Sequence, residues 1–438
     1  MRKAIVAIVG RPNVGKSTLF NRIVRKRRAV IEDVPGITRD RLYGEATWDD
    51  SSFLVVDTGG FQHEPDDVFA GEVKKQVLYA VEEADIIILL MDAVSGVMPI
   101  DVELIDRLRR YGKGVFYVVN KIDGPKKESS LLNDFYSLGV DLFPVSALNG
   151  YGYEDFMDSL ASLLPSAESE GSEHPKIAIV GRPNVGKSTL VNSLLSKERM
   201  IVSSIPGTTR DAVDSVCSYY KKDYILIDTA GVRKKGKMAK TVERYSFLRT
   251  LRNIEDCDVA VIVFDASEGI VDLDQKIAGF VHSAGKGALI LLNKWDLVEK
   301  KSALSVKDME EKVHQKLWFM RHVPVLTISA LSKKRVTKIF PLVDKVIAEN
   351  SKRISTHKLN LFLGNALSMR EPPLYRGKRV KIHYITQIKT HPPGFVIFTN
   401  RKEGINEQYI RFLENRLRIS FSFEGVPVNF YVRQKKQR

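Results

Sequence analysis

The sequence has very little cysteine and no long apolar run. Its 438 residues include two cysteines, Cys217 and Cys257, so we expect no disulfide framework and a reducing, cytoplasmic location. No segment approaches the ~18 apolar residues that span a bilayer. The apolar stretch after Lys3 runs directly into a Gly-rich loop, which predicts a first strand and not a signal peptide. These absences exclude a secreted disulfide scaffold and predict a protein with no membrane partner.

Acidic residues become scarce towards the C-terminus. Residues 351–438 contain 18 Lys and Arg but only 5 Asp and Glu, and therefore carry +13 of the total net charge of +15. A compact basic module on a nearly neutral body is typical of a protein that binds a polyanion.

The chain repeats itself over a period far too long for a solenoid. The segment GRPNVGKSTL at residues 10–19 returns unchanged at residues 181–190, which is 171 residues later. Four further motifs recur in the same order. They are PG-x-TRD from Pro35 and Pro206, DTGG or DTAG from Asp57 and Asp228, NK-x-D from Asn120 and Asn293, and SAL from Ser146 and Ser329. The sequence therefore contains a duplicated domain.

The pattern of apolar residues predicts the class of the duplicated domain. Short continuous runs such as Ala4–Val9 and Val259–Phe264 alternate with amphipathic stretches, as in strands buried on both faces of a mainly parallel sheet. We predict two doubly wound α/β domains, with ligand loops at the carboxyl ends of the strands. Their predicted bounds are 1–164 and 176–350, joined by a polar, acidic linker over 165–175, and a small α+β domain follows over 351–438.

Both copies carry a phosphate-binding loop, Gly-x-x-x-x-Gly-Lys-Ser, between a predicted strand and a predicted helix. Backbone N–H groups of such a loop cradle phosphates, and the helix N-terminus adds favourable electrostatics. The lysines are expected to reach the β- and γ-phosphates, and the serines to hold Mg²⁺. The predicted phosphate-binding residues are Gly10, Asn13, Gly15, Lys16, Ser17 and Thr18, and in the second copy Gly181, Asn184, Gly186, Lys187, Ser188 and Thr189.

The NK-x-D motif is expected to select the base. A carboxylate at Asp123 or Asp296 can accept from guanine N1–H and the 2-amino group, whereas adenine would place a lone pair against it. The sequence therefore predicts binding of GTP at two sites, with Lys121 and Lys294 of the same motifs in the binding set.

Three positions in each copy are predicted to respond to the γ-phosphate and its Mg²⁺. They are Thr38, Asp57 and Gly60, and in the second copy Thr209, Asp228 and Gly231. The aspartates would reach Mg²⁺ through water, the glycines would bring an N–H to the γ-phosphate, and the threonines would contact Mg²⁺ only while that phosphate is present. Such loops order with GTP and relax after hydrolysis, which is a switch. The candidate catalytic residues are the lysine of the phosphate-binding loop and the threonine and glycine named above: Lys16, Thr38 and Gly60, and in the second copy Lys187, Thr209 and Gly231.

This ordered set of motifs, present twice and followed by a basic tail, resembles the Der (EngA) family of bacterial tandem GTPases over essentially the whole chain. The resemblance implies two GTPase domains and a KH-like domain that act in assembly of the large ribosomal subunit. It also implies that Ala147 and Ala330, next to Ser146 and Ser329, donate N–H groups to guanine O6. By the same resemblance, Asn120 and Asn293 would contact the N7 edge of the base.

Catalysis is expected to differ from that of Ras-like GTPases. Phe61 and Val232 stand where those proteins carry the glutamine that orients the attacking water, and no arginine is evident in cis, so we expect slow intrinsic turnover. The resemblance implies that Asn13 and Asn184 help to hold a stimulating K⁺ ion. The alternative is that both asparagines only stabilise the loop.

The basic residues of the C-terminal domain are candidates for RNA phosphate contacts. They include Lys378, Arg379, Lys381, Lys389, Arg401, Lys402 and Arg411. The order helix, strand, strand, helix, strand resembles the KH-like domain of the Der family but contains no Gly-x-x-Gly clamp. Recognition of folded RNA by shape and phosphate is therefore expected. The alternative is a solvated charged face.

Together these features predict a monomeric GTP-hydrolysing switch that binds ribosomal RNA and the large ribosomal subunit. One rival is a tRNA-modification GTPase, which would need a modification domain with a reactive cysteine or a folate site. A second is a signalling GTPase with protein effectors, which would need a lipidation motif or a hydrophobic anchor. A third is that one of the two copies is a degenerate scaffold, which disagrees with the complete motif set in both copies.

Overall fold

The computed structural model describes residues 3–24, 43–48, 51–57, 84–110, 114–164, 174–195, 202–203, 214–220, 222–228, 245–301 and 305–434. The chain divides into two compact units. The first comprises residues 1–171 and 238–255, and the second comprises residues 172–237 and 256–438. The domain borders expected from the sequence stay predictions.

The first unit is built on a mainly parallel sheet. Its strands are β1 (Ala4–Val9), β2 (Tyr43–Trp48), β3 (Ser51–Asp57), β4 (Ile86–Asp92), β5 (Gly114–Asn120) and β6 (Leu142–Pro144). They lie in the order β2-β3-β1-β4-β5-β6, and β2 is antiparallel to β3. Every residue of β1 and β4 is buried, which explains their continuous apolar sequences.

Helices cover the first sheet and connect its strands. They are α1 (Lys16–Val24), α2 (Pro99–Arg109), α3 (Pro125–Tyr136) and α4 (Tyr153–Ser162). Helix α1 begins directly after the phosphate-binding loop, and Leu19, Phe20 and Ile23 anchor it in the core. That anchoring holds the loop at the carboxyl end of β1.

The second unit repeats this arrangement. Its strands are β7 (Lys176–Val180), β8 (Val202–Ser203), β9 (Ser215–Tyr219), β10 (Lys222–Leu226), β11 (Val259–Asp265), β12 (Gly287–Asn293) and β13 (Val325–Thr327), in the order β13-β12-β11-β7-β10-β9-β8. The helices of this copy are α5 (Lys187–Leu195), α6 (Tyr245–Asp256), α7 (Asp272–Ser283), α8 (Trp295–Lys301), α9 (Val306–Lys316) and α10 (Ile339–Asn350). In α6, residues 245–255 are grouped with the first unit.

The C-terminal part of the second unit has the predicted order of elements. These are α11 (Thr356–Met369), β14 (Ile382–Lys389), β15 (Gly394–Thr399), α12 (Glu407–Phe421) and β16 (Asn429–Gln434). Strand β15 pairs antiparallel with β14 and parallel with β16. The predicted fold class is therefore confirmed: two mainly parallel α/β domains and a small α+β domain.

The C-terminal domain packs on the second α/β domain through the loop that follows α12. The Gly425 N–H donates to the His322 carbonyl, and the Ala288 N–H donates to the Gly425 carbonyl, both at 2.7 Å. The Phe423 N–H donates to the Glu349 carboxylate at 2.7 Å. Among the residues that the structure describes, no helix combines the length and the apolar character needed to cross a membrane.

Candidate nucleotide sites

The phosphate-binding loop of each copy has a backbone that only certain residues can adopt. Gly15 has φ +99°, and a Cβ atom there would collide with the side-chain amide of Asn120. Asn13 and Asn184 have φ +64° and +65°, in the left-handed region that asparagine tolerates better than most residues. Both asparagines are exposed. The left-handed backbone by itself explains why asparagine stands at both positions. The predicted role of these residues in binding potassium stays a prediction.

The lysine at the end of each phosphate-binding loop folds its side chain back over that loop. Lys16 Nζ donates to the carbonyls of Gly10 at 2.8 Å and Arg11 at 2.7 Å, and only 7% of Lys16 is exposed. Burial lowers the pKa of Lys16 to about 8, although the Asp57 carboxylate opposes this shift. Lys187 Nζ makes the matching bonds to the carbonyls of Gly181 and Arg182, at 2.7 and 2.6 Å.

The predicted magnesium ligands of the first copy lie in contact. Ser17 Oγ donates to Asp57 Oδ2 at 2.6 Å, which joins the start of α1 to the end of β3. A hydroxyl and a carboxylate are the hard oxygen ligands that Mg²⁺ prefers, so this pair suits that ion. In the second copy the Asp228 N–H donates to the Asp214 carboxylate at 3.0 Å. Burial raises the pKa of Asp214, and this hydrogen bond opposes the shift.

The asparagine of NK-x-D ties two loops together in each copy. Asn120 Nδ2 donates to the Val14 carbonyl at 2.8 Å, and its Oδ1 accepts from the Ala147 N–H at 2.9 Å. Asn293 makes the equivalent bonds to Val185 and Ala330 at the same distances. The amide nitrogen carries a second hydrogen, which is compatible with the predicted contact to guanine N7.

The aspartate of the first NK-x-D motif is oriented by two neighbours. Asp123 Oδ1 accepts from Ser146 Oγ and from Asn149 Nδ2, both at 3.0 Å. The other carboxylate oxygen lies 3.6 Å from Lys127 Nζ in a partly exposed ion pair. The carboxylate is thus held by one oxygen, and Asn149 is a site residue that the sequence analysis missed.

A second set of missed residues supports the NK-x-D lysines. Lys121 Nζ lies 2.7 Å from Asp92 at the end of β4, and Lys294 Nζ lies 2.5 Å from Asp265 at the end of β11. Burial disfavours ionisation of Asp92, but bonds from Lys121, the Val94 N–H and the Ser95 hydroxyl outweigh it and lower the pKa of Asp92. The signal was available in the sequence, because an aspartate ends the same apolar run in both copies.

The arginine of GRPNVGKS is also anchored in the same way twice. Arg11 Nε lies 3.3 Å from Asp101 Oδ2, and Arg182 Nε lies 3.3 Å from Asp274 Oδ2. Both aspartates are fully buried, and burial raises the pKa of each although the arginines oppose it. These pairs fasten the phosphate-binding loop to the helix that follows β4 or β11.

The comparisons with known proteins agree with this geometry. Residues 5–121 and 176–294 match the family described as "50S ribosome-binding GTPase", and residues 353–433 match "KH-domain-like of EngA bacterial GTPase enzymes, C-terminal". The protein "GTPase Der" of Caldanaerobacter subterraneus subsp. tengcongensis is 48% identical over 98% of both chains. Those of Thermodesulfovibrio yellowstonii and Agathobacter rectalis are 46% and 44% identical, over 98% and 100% of this chain and 99% and 100% of theirs.

This chain belongs to the Der (EngA) GTPase family. The resemblance predicted from the motifs is therefore confirmed, as is GTP hydrolysis, and the family is one of 50S ribosome-binding GTPases. P-loop GTPases use Mg²⁺.

We call the loops that carry the NK-x-D and SAL motifs the guanine loops, after their predicted ligand. The two sites of this Der-family chain differ in how these loops are held. Arg22 of α1 donates from Nε to the Ala147 carbonyl at 2.5 Å and from Nη2 to the Leu148 carbonyl. Its guanidinium also lies 5.6 Å from the Tyr153 ring centroid. Ser193 occupies the position of Arg22 in the second copy.

The position of Asn149 also differs between the copies. Ser332 stands there in the second copy, and its N–H donates to Ser329 Oγ at 3.2 Å. The Asn149 N–H makes the same bond to Ser146 Oγ at 3.0 Å, so the difference lies in the side chain of Asn149, which bonds to Asp123.

Several predicted residues cannot be placed. Thr38, Gly60, Thr209 and Gly231 lie outside the described residues, as do Phe61 and Val232. Thr18 and Thr189 are exposed on the first turns of α1 and α5. The ligand roles assigned to the site residues stay predictions.

The predicted RNA-binding residues fall into three places in the C-terminal domain. The first group surrounds Asn400, whose side chain accepts from the Lys381 N–H and donates to the Arg379 carbonyl. The members of this group are Lys378, Arg379, Lys381, Arg401 and Lys402. The other two residues lie apart: Lys389 Nζ is 5.8 Å from the Tyr431 ring centroid, and the Arg411 guanidinium is 5.5 Å from the Trp318 ring centroid.

Proposed function

We propose that this Der-family GTPase is a GTP-controlled switch that binds ribosomal RNA in precursors of the large ribosomal subunit and assists their maturation. One observation carries the proposal. In each copy the asparagine of NK-x-D, Asn120 or Asn293, bonds both to the phosphate-binding loop and to the SAL loop, so that the parts of a GTP site meet twice in one chain. The basic C-terminal domain supplies the surface for RNA.

The phosphates are bound by the loop amides and by the loop lysine. In the structure Lys16 Nζ bonds to two carbonyls of its own loop. Phosphate oxygens would replace or supplement those partners and would raise the lowered pKa of Lys16, since an anion favours the ammonium form. Lys187 would do the same in the second site.

The metal would be held by Ser17 and Asp57 in the first site and by Ser188 and Asp228 in the second. Bound there, Mg²⁺ would supply positive charge opposite the β- and γ-phosphate oxygens. Thr38 and Thr209 are proposed to join these ligands in the GTP state, and Gly60 and Gly231 to donate an N–H to the γ-phosphate.

Base selection would rest on the two NK-x-D carboxylates. Asp123 presents a carboxylate whose Oδ1 is already held by Ser146 and Asn149, so its orientation is set before the base arrives. Pre-organisation of this kind reduces the ordering cost of binding. Asp296 is proposed to do the same for the second site, with the Ala147 and Ala330 amides near guanine O6.

Intrinsic hydrolysis is proposed to be slow and to be stimulated by K⁺ held through Asn13 and Asn184. The exposed carboxamides of both residues could reach a cation. Replacing Asn13 by glycine separates the two roles, because glycine keeps the left-handed backbone and removes the side-chain oxygen. We expect the N13G/N184G double variant to lose the rate difference between KCl and NaCl in single-turnover hydrolysis, and each single variant to lose only the share of its own site. Full stimulation in the double variant would reject the potassium role.

The ribosomal role is tested by cosedimentation with ribosomal particles. We expect association with the large subunit to differ between GDP and a non-hydrolysable GTP analogue, and to weaken as salt rises because phosphate contacts release counterions. The Lys16→Ala and Lys187→Ala variants form a matched pair that assigns the nucleotide effect to one site. Association that is indifferent to both nucleotide and salt would reject the switch. A cytoplasmic monomer with domains at 1–164, 176–350 and 351–438 is part of the proposal.

A further inference from the structure

The sheet of the C-terminal domain has two chemically different faces. Ile385, Phe395 and Ile397 belong to the core that α11 and α12 cover. Since successive side chains of a strand point to opposite faces, Val396 and Phe398 lie on the other face. We call this second face the outer face. It comprises Tyr384, Thr386, Val396, Phe398, Tyr431 and Arg433.

The strand register places the outer-face residues in two rows. Tyr384, Phe398 and Arg433 form one row, and Thr386, Val396 and Tyr431 form the next. Strand geometry puts the rows about 7 Å apart along the strands.

Partly exposed aromatic rings lie in both of these rows. The rings of Tyr384 and Phe398 are stacked, with centroids 4.3 Å apart and an interplanar angle of 17°. Tyr384 and Tyr431 are 36% and 39% exposed, whereas Val396 between them is buried. The outer face therefore offers partly exposed aromatic rings to a partner, while its one aliphatic side chain, Val396, is buried.

Cationic side chains border these rings. The aliphatic part of the Lys389 side chain packs over Gly394. A Cβ atom added at Gly394 would lie only 2.8 Å from Lys389 Cγ, so the two residues are in close contact. The Lys389 ammonium lies 5.8 Å from the Tyr431 ring centroid. Arg433 is exposed beside Phe398, and the sequences of β14, β15 and β16 contain no Asp or Glu. The charge of the face is complementary to that of a polyanion.

We propose that the outer face is a stacking platform for unpaired RNA bases, on which Tyr384, Phe398 and Tyr431 contact the bases while Lys389 and Arg433 contact the phosphates. Aromatic rings carried on a sheet and flanked by cations are suited to single strands, because every base has a π-face and the backbone is anionic. A duplex cannot use the rings, since its bases are already stacked. The inference rests on the proposed RNA binding and adds the class of RNA.

The test compares two labelled RNA probes on the full-length protein by fluorescence anisotropy. One probe is a single-stranded oligouridine, and the other is a perfect RNA duplex of the same length. We expect Tyr384→Leu and Tyr431→Leu each to weaken oligouridine binding by about fivefold or more, the lower end of the effect of removing a stacking ring. Duplex binding should stay within about twofold of the parent protein, because phosphate contacts remain.

Matched variants separate stacking from folding and from charge. Tyr384→Phe and Tyr431→Phe keep the ring and should bind both probes like the parent protein. Lys402→Gln, in the basic group around Asn400, should weaken both probes together. Unchanged thermal unfolding and GTP hydrolysis would establish that the leucine variants are folded.

The possible outcomes distinguish the platform from RNA binding in general. If both leucine variants bind oligouridine like the parent protein, or lose both probes equally, the platform is wrong while RNA binding stands. If polyglutamate competes as well as oligouridine does, the face binds acidic peptide and the platform is again wrong. If the parent protein binds neither probe at low salt, both the platform and the proposed RNA binding are wrong.

Discussion

Replacing Arg22 by serine, the residue found at the equivalent position of the second copy, should weaken guanine nucleotide binding at the first site alone. Arg22 donates to the carbonyls of Ala147 and Leu148, in the loop whose amides are predicted to meet guanine O6. Without these bonds the loop would have to be ordered by the nucleotide itself, at the expense of affinity.

The magnitude follows from the exposure of the two hydrogen bonds. A bond to a charged group contributes about 1.5–3 kcal/mol when it is protected from water. Leu148 is 76% exposed, so water would replace most of that bond, and the bond to Ala147 is only partly buried. We therefore expect a loss of about 1 kcal/mol, which corresponds to about fivefold in Kd.

Titration calorimetry can measure each site separately. Arg22→Ser in an Asp296→Ala background reports the first site, and Arg22→Ser in an Asp123→Ala background reports the second, which should be unchanged. Ser193→Ala is the matched control and should affect neither site. Equal weakening at both sites, or full affinity at the first site in a properly folded variant, would refute the reasoning.

Three further predictions concern the phosphate-binding loops. Gly15→Ala and Gly186→Ala should each abolish nucleotide binding at their own site, because both positions need a positive φ and a Cβ would strike the neighbouring asparagine; the stoichiometry of bound GDP measures this. Burial lowers the pKa of Lys16 to about 8 and phosphate would raise it, so below about pH 7 the ammonium form prevails with and without nucleotide. Above about pH 8 binding must take up a proton, so affinity at the first site should fall from pH 8 to 9, and the calorimetric enthalpy should depend on the buffer. Arg11→Met leaves the buried Asp101 carboxylate without its cation and should destabilise the first domain by about 3 kcal/mol; urea unfolding should show partial recovery on adding Asp101→Asn.

The parts of the fold that the sequence predicted are those set by local patterns. The run Ala4–Val9 is a strand with these same bounds, because six consecutive apolar residues are stable only where both faces are buried. In the C-terminal domain the observed order of elements is also the predicted one, namely helix, strand, strand, helix, strand. Strand β14 begins only at Ile382, because Asn400 engages the backbone of Arg379 and Lys381 just before it.

The supporting contacts of the sites were not predictable from local patterns. The Arg11–Asp101 pair joins residues far apart in sequence, and no periodicity brings such side chains together. The duplication was the one available signal, since Arg182 and Asp274 form the same pair. For Arg22 even this signal is missing, because the second copy carries serine.

The aromatic outer face was missed for a different reason. Charge identifies basic residues and not rings, and an unbroken period of two from the buried Ile382 would place Tyr384 on the covered face. The register shift between Ile382 and Tyr384 moves this ring to the face of Phe398. Only the strand register reveals that these rings are neighbours.

The contact between the second GTPase domain and the C-terminal domain limits how a nucleotide signal could reach RNA. Strand β12 ends at Asn293, which ties the guanine loops, and near its start the Ala288 N–H bonds to Gly425. Arg418, whose side chain is 14% exposed, donates to the Phe423 and Val426 carbonyls beside this contact. Opening a hinge here would expose Val426, which packs in the core of the second GTPase domain, and break the backbone bonds of Gly425 to Ala288 and His322, a cost that grows with each unpaired group. For the proposed switch we therefore expect this interface to stay intact, so that the C-terminal domain moves together with the second GTPase domain.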